Sequence, residues 1–181
     1  MDKLTLDTNI LRDWAWAEER SNEKRYEKDL SKKPKLVSLF SDLRMLRNNG
    51  ICELGITNQI FSDFEKSVGE LPTFIEEMIG SYVTYSTPSI STFPMFFPFV
   101  FANIGEIESI LVDVFPNTSP DHRKYKSNKK DALQLYAHKI AKRDIFLTSD
   151  KKILEAHGLL CKKWGIEVST LEYYVHNTKF K

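Results

Sequence analysis

The chain has 181 residues, 41% of them hydrophobic and 28% charged, which suits one soluble globular domain with a proper core. A formal net charge of +1 excludes a globally basic nucleic-acid binder, so any such role must rest on a local patch. Two cysteines, Cys52 and Cys161, are too few for a disulfide framework and read as buried free thiols, and the most apolar run, Phe93 to Ile104, falls well short of the ~20 residues a membrane helix needs. No apolar leader opens the chain, so the expectation is a cytoplasmic protein without a membrane partner.

Leu4 and Leu6 alternate with Lys3 and Thr5, which predicts a strand ending at Asp7. Ile10 and Leu11 then open a long charged helix to about Asp29, and Ser31 to Pro34 breaks it. Leu36, Phe40, Leu43 and Leu46 recur at helical spacing until Asn48-Asn49-Gly50. Ile51 to Thr57 reads as a second strand, Asn58 to Val68 as the helix behind it, and Pro72 to Ile79 as another helix. The stretch from Tyr82 to Pro98 carries Pro88, Pro94 and Pro98, which forbid a long helix and leave room for a short strand at Tyr82 to Tyr85. A clear amphipathic helix spans Ile104 to Phe115, a polar loop Pro116 to Asn128, and a helix Lys129 to Lys142. Ile145 to Leu147 is a short buried strand, Asp150 to Ala156 a helix, Ile166 to Val168 a last strand, and Leu171 to Val175 a last helical turn. Strands alternating with helices predict one three-layer α/β/α domain over residues 1–181 with a mostly parallel central sheet.

Four carboxylates share a context in that arrangement. Asp7 follows the first strand, and Asp150 follows the strand at Ile145 to Leu147. Asp63 lies on the helix behind the second strand, and Asp131 in the first turn of the helix that precedes Ile145. Parallel strands bring Asp7 and Asp150 to one edge, where open α/β sheets bind ligands. Taken singly, Asp7, Asp131 and Asp150 also suit the cap or first turn of a helix. Taken together, carboxylates in mutual reach repel by about 4 kcal/mol per pair at ~4 Å and an effective dielectric near 20. A cation relieves that cost, and an all-carboxylate donor set suits Mg²⁺ or Mn²⁺ rather than zinc.

These stretches resemble a family. Leu4 to Leu11 is similar to the opening motif of PIN-domain nucleases, of which the VapC-like toxins are examples, and Thr57 followed by Asp63 is similar to their second motif. Asp131-Ala132-Leu133 with Ala137 and Ile140-Ala141, then Phe146 to Asp150, resemble their third and fourth motifs, and Ile166 to Thr170 their closing strand and turn. The resemblance implies a PIN-like fold and a metal-dependent endonuclease, usually acting on RNA, either as the toxin of a toxin–antitoxin pair or in RNA processing. It implies that Asp7, Asp131 and Asp150 bind the metal, that Asp63 is the second-motif acid, and that Thr8, Asn9 and Thr148 position phosphate or support the ligands. The family usually carries Glu where this chain has Asp63, so Glu65 and Glu53 are alternatives. Against the compact family pattern, residues 11–50 form a helical expansion and 82–102 an aromatic, proline-rich one.

A basic run, Arg123, Lys124, Lys126, Lys129 and Lys130, leads directly into Asp131, and Lys151 and Lys152 follow Asp150. Lys124, Lys126, Lys129 and Lys130 are the candidates for holding a nucleic-acid backbone against the acids. Arg12, one turn past Asp7, reads as a surface residue with phosphate within reach, and His138 as a packed residue outside the site. The phenylalanines from Phe93 to Phe101 read as core plus a surface for self-association or an antitoxin rather than as a base-stacking platform. The leading expectation is therefore a Mg²⁺- or Mn²⁺-dependent endoribonuclease with RNA as partner. The competing one is a weakened, non-catalytic member that binds nucleic acid or protein. A receiver-like or phosphoryl-transfer domain is a third, less favoured because no phosphate-cradling glycine-rich loop is present.

Overall fold

The computed structural model describes residues 1–18, 30–57, 83–85 and 103–179. Among the described residues, five parallel strands form one sheet in the order Val83–Tyr85, Cys52–Thr57, Asp2–Leu6, Ile145–Leu147, Glu167–Ser169. In chain order they are β1 (Asp2–Leu6), β2 (Cys52–Thr57), β3 (Val83–Tyr85), β4 (Ile145–Leu147) and β5 (Glu167–Ser169). The register pairs Leu4 with Leu54 and with Ile145, Thr57 with Tyr85, and Leu147 with Ser169, so the carboxyl ends of the strands lie along a common edge. The three-layer α/β/α expectation holds, and every strand pairing among the described residues is parallel.

Pleat alternation divides the sheet into two faces. Leu4, Leu6, Leu54, Ile56 and Leu147 pack on one side with α1 (Thr8–Ala17), α2 (Lys33–Asn48) and the C-terminal helix. Within that layer Trp14 stacks on Phe40 with ring centroids 4.7 Å apart, and its Nε1 donates to Glu18, which also pairs with Arg44. On the other side Phe146, Ile166 and Val168 pack with α3 (Ile104–Val114) and α4 (Tyr125–Ile140). The chain continues through α5 (Lys151–Glu155) and the π-helical turn Leu160–Trp164, which Gly165 ends at a φ of 66°. It closes with α6 (Leu171–Lys179).

Several boundaries differ from the sequence reading. Helix α1 starts at Thr8 rather than Leu11, because Asp7 is already the extended N-cap residue. Helix α4 starts at Tyr125 rather than Lys129, so the expected loop from Pro116 to Asn128 ends earlier. Tyr125 packs on the α3–α4 core, and buried Asn128 donates to Thr118 Oγ1 at 2.6 Å. These two tertiary contacts draw a polar first turn into the helix, and they move Asp131 from its first turn to its second. Helix α6 runs to Lys179, well past Val175. Cys161 is exposed rather than buried, while Cys52 is buried as expected. Helix α1 ends at Ala17, with Glu18 as its C-cap, well short of the Asp29 expected for a single long charged helix. The expected helices at Asn58 to Val68 and Pro72 to Ile79 lie outside the described residues, as does the phenylalanine-rich stretch.

One side chain ties the centre of the sheet together. The buried Arg143 guanidinium donates to the Leu4 carbonyl, the Glu53 carbonyl and Glu53 Oε1, the last at 2.9 Å. It lies flat on Gly55, where an added Cβ would sit 2.4 Å from Arg143 Cζ, so the close approach itself requires glycine. Among the described residues no helix is long and apolar enough to cross a membrane.

Candidate acidic site at the strand edge

Asp7 leaves β1 with its backbone N–H bonded to the Leu147 carbonyl at 3.0 Å, which sets the ends of β1 and β4 side by side. It occupies the N-cap position of α1, yet its side chain makes no capping bond. The carboxylate is instead held from the β4 side, where Thr148 Oγ1 donates to Asp7 Oδ2 at 2.6 Å, with a longer 3.4 Å contact from Asn9 Nδ2. The capping explanation therefore does not account for the side chain of Asp7.

Thr148 links two carboxylate residues. It is fully buried, and while its hydroxyl donates to Asp7 its oxygen accepts from the Asp150 backbone N–H at 3.0 Å. Asp150 does cap its helix, since Oδ1 accepts from Lys152 N at 2.8 Å and from Ile153 N at 3.3 Å. Its residue remains half-buried and faces the same cavity as Asp7. One side chain thus serves both the structural and the site reading.

That cavity, of about 580 Å³, is lined by Asp7, Thr8 and Asn9 from the β1–α1 turn, by Asp150, and by Asp131 from α4. Arg12 of α1 and Lys126 and Lys130 of α4 add positive charge, and Ser127 and Gln134 complete the wall. Three of the four predicted acids are therefore brought together. Asp63, and Glu65 with it, lies outside the described residues. The third alternative, Glu53, sits opposite Lys3 near the amino end of β2, away from the carboxyl edge, and pairs with Arg143, so it is not part of this cavity. Of the four lysines expected to face nucleic acid, Lys126 and Lys130 line the cavity, whereas Lys124 and Lys129 do not. The ammonium of Lys129 lies 5.6 Å from the centre of the Tyr125 ring. The earlier helix start explains the split, since it spaces Lys126 and Lys130 one turn apart on a single face. Arg12, read as a surface residue, belongs to the cavity.

Burial pushes the Asp7 carboxyl up from 3.8 to about 6, and the Asp150 charge adds to the rise. The bonds from Thr148, the Thr8 backbone and Asn9 oppose it. A carboxylate strained in this way gains from a nearby cation. Among the described residues, however, no group of three or more His, Cys, Asp or Glu side chains is gathered closely enough to hold a metal ion as a set. The donors fit a hard, largely hydrated ion better than a dehydrated one, because Mg²⁺ is commonly held by one or two carboxylates and keeps several waters. Asp7 and Asp150, joined through Thr148, are the pair that fits best.

His138, on the buried face of α4, lies outside the cavity. It is buried, its Nδ1 is 2.8 Å from Thr5 Oγ1, and its ring meets Phe146 edge-on. Burial first, and then the Arg143 charge, lower its pKa from 6.5 to about 4, so it is neutral at physiological pH. Sequence reasoning missed Gln134, whose signal was its spacing of three residues from Asp131 on one helix face. No family model matches the chain, and no curated protein matches it significantly.

Proposed function

We propose that the chain is a Mg²⁺- or Mn²⁺-dependent endoribonuclease of PIN type, acting at the strand-edge cavity. The observation that carries this reading is the convergence of Asp7, Asp131 and Asp150 with Arg12, Lys126 and Lys130 on one cavity. Acids and cations in one cleft suit a phosphodiester. The cations hold its charge, and the carboxylates gather a metal at its centre. When bound, the metal supplies an activated water and stabilises the charge that develops on the phosphoryl oxygens. Asp7 and Asp150 are the residues to hold it, and Asp131, across the cavity, holds or orients water. Thr148 keeps Asp7 and the turn at Asp150 in register. Lys126, Lys130 and Arg12 fix the phosphate backbone, and their charge favours single-stranded RNA drawn across the mouth. A toxin role with an antitoxin partner, and a cytoplasmic location, belong to the same reading.

Calorimetric titration with Mn²⁺ tests the metal requirement. Wild type binds, and Asp7→Asn and Asp150→Asn each weaken binding at least tenfold; no heat from wild type at millimolar Mn²⁺ refutes the reading. One observation favours a non-catalytic nucleic-acid-binding domain instead, namely that Asp150 already spends Oδ1 on capping α5. That alternative predicts RNA binding indifferent to Mn²⁺ and no cleavage.

A further inference from the structure

The wall of the cavity holds a polar group that no contact among the described residues explains. Gln134 is 2% exposed, and its Oε1 is buried with no hydrogen-bond partner among the described residues. Buried amides are normally satisfied, and an orphaned one is costly enough to need a reason. Its place supplies one, because Gln134 lines the cavity one helical turn beyond Asp131 on the same face of α4.

We infer that Gln134 is a specificity residue that accepts a hydrogen bond from the ribose 2′-hydroxyl of a bound RNA strand. This rests on the nuclease reading above and names how that site would tell RNA from DNA. Lys126 and Lys130, on the same helix, fix the phosphate at the mouth, and Asp131 faces it. The 2′-hydroxyl is borne on the carbon next to the one carrying the 3′ phosphate oxygen, whereas a base edge lies across the sugar ring. A group one turn from the acid facing the phosphate is therefore placed for the sugar. The 2′-hydroxyl is both donor and acceptor, so either end of the amide finds a partner in it. A deoxy strand in the same place leaves Gln134 buried and unpaired, and sites built to bond a hydroxyl reject analogues lacking it for that reason.

Fluorescence anisotropy in chelator, which prevents cutting, tests this on the full chain. Three labelled single strands of one uracil-containing sequence are compared: all-ribo, all-deoxy and all-2′-O-methyl. Wild type is expected to bind the ribo strand about tenfold to a hundredfold more tightly than the other two, the range that one unsatisfied buried polar group gives. The methyl ether cannot donate and should behave as the deoxy strand does. Gln134→Met, which keeps the volume and removes the amide, should weaken only the ribo strand and bring the three together, with a melting temperature no lower than wild type. Gln134→Leu serves as the second variant if the first does not fold. Equal binding of ribo and deoxy strands by wild type overturns the inference and leaves the nuclease reading intact. So does a Gln134→Met chain that keeps its ribo preference, loses affinity for all three strands alike, or changes base preference instead. Failure of wild type to bind any strand overturns the nuclease reading, and the inference with it.

Discussion

Replacing Asp7 by Asn should make the protein more stable at neutral pH. Burial holds the folded-state carboxyl at about 6 against 3.8 when exposed, so the fold binds that proton more tightly than the unfolded chain does. Below pH 3.8 the group is protonated in both states and costs nothing. Above about 6 it is ionised in both, and the fold carries the full penalty of about 3 kcal/mol, taking 1.36 kcal/mol per unit. Asn keeps the shape and still accepts the Thr148 hydroxyl. It retains part of the desolvation cost as a neutral amide, which leaves a net gain of about 1–3 kcal/mol. For a domain of this size that is roughly 3–10 °C in melting temperature. Calorimetric melts in chelator, from pH 4 to 8, are the assay. The Asn variant should melt higher at pH 7.5, and the two chains should converge as the pH falls toward 4. A variant less stable at pH 7.5, or a gain that does not depend on pH, refutes the claim that an ionised Asp7 is strained.

His138 contributes with the opposite sign. Its folded pKa of about 4 lies below the unfolded 6.5, so its stabilisation is complete above 6.5 and lost as the pH falls toward 4, about 3 kcal/mol in all. In Asp7→Asn, where relief of Asp7 no longer compensates, the melting temperature should fall steadily between pH 6.5 and 4; a flat profile contradicts the neutral buried imidazole. Gly55→Ala drives a methyl into the Arg143 guanidinium and strips its bonds to Leu4 and Glu53, for an expected loss of about 2–4 kcal/mol in chemical denaturation. A loss below about 1 kcal/mol would mean that the guanidinium moves aside freely. Charge reversal of Lys126 and Lys130 together should lower RNA affinity and reduce the salt slope by at least about 1.4, at about 0.7 per phosphate contact on a single strand. The same change at Lys124 and Lys129 should leave the slope nearly unchanged, and the reverse ranking would move the docking surface off the cavity.

The sheet was legible because its signals are local. Alternation at Lys3 to Leu6 and the short apolar run Ile145 to Leu147 identify strands without reference to the rest of the chain, and a carboxylate placed just after each predicts where Asp7 and Asp150 meet. The start of α4 was not legible, because Asn128 and Tyr125 belong to its buried stripe only through contacts with Thr118 and the α3 core. That error carried over to the site. Lysines taken as one continuous run are sorted by a helix into two that line the cavity and two that do not. Gln134 and Arg12 were underweighted for a related reason, since a polar residue on a helix reads as solvated until the neighbouring elements wall it in. For Asp150 both readings hold, since it caps α5 and faces the cavity.

Cleavage of mixed-sequence single-stranded RNA by the purified chain tests the proposed nuclease most directly. It is assayed with Mn²⁺, with Mg²⁺ and with chelator, alongside Asp7→Asn and Asp150→Asn. The acidic cavity predicts cutting that needs the divalent ion and that each substitution lowers by at least a hundredfold, with Asp7→Asn remaining folded. Cutting that persists in chelator, or that survives both substitutions, would place the chemistry elsewhere. No cutting with either ion, together with unaltered RNA binding by both variants, would mean that this cavity binds without catalysing.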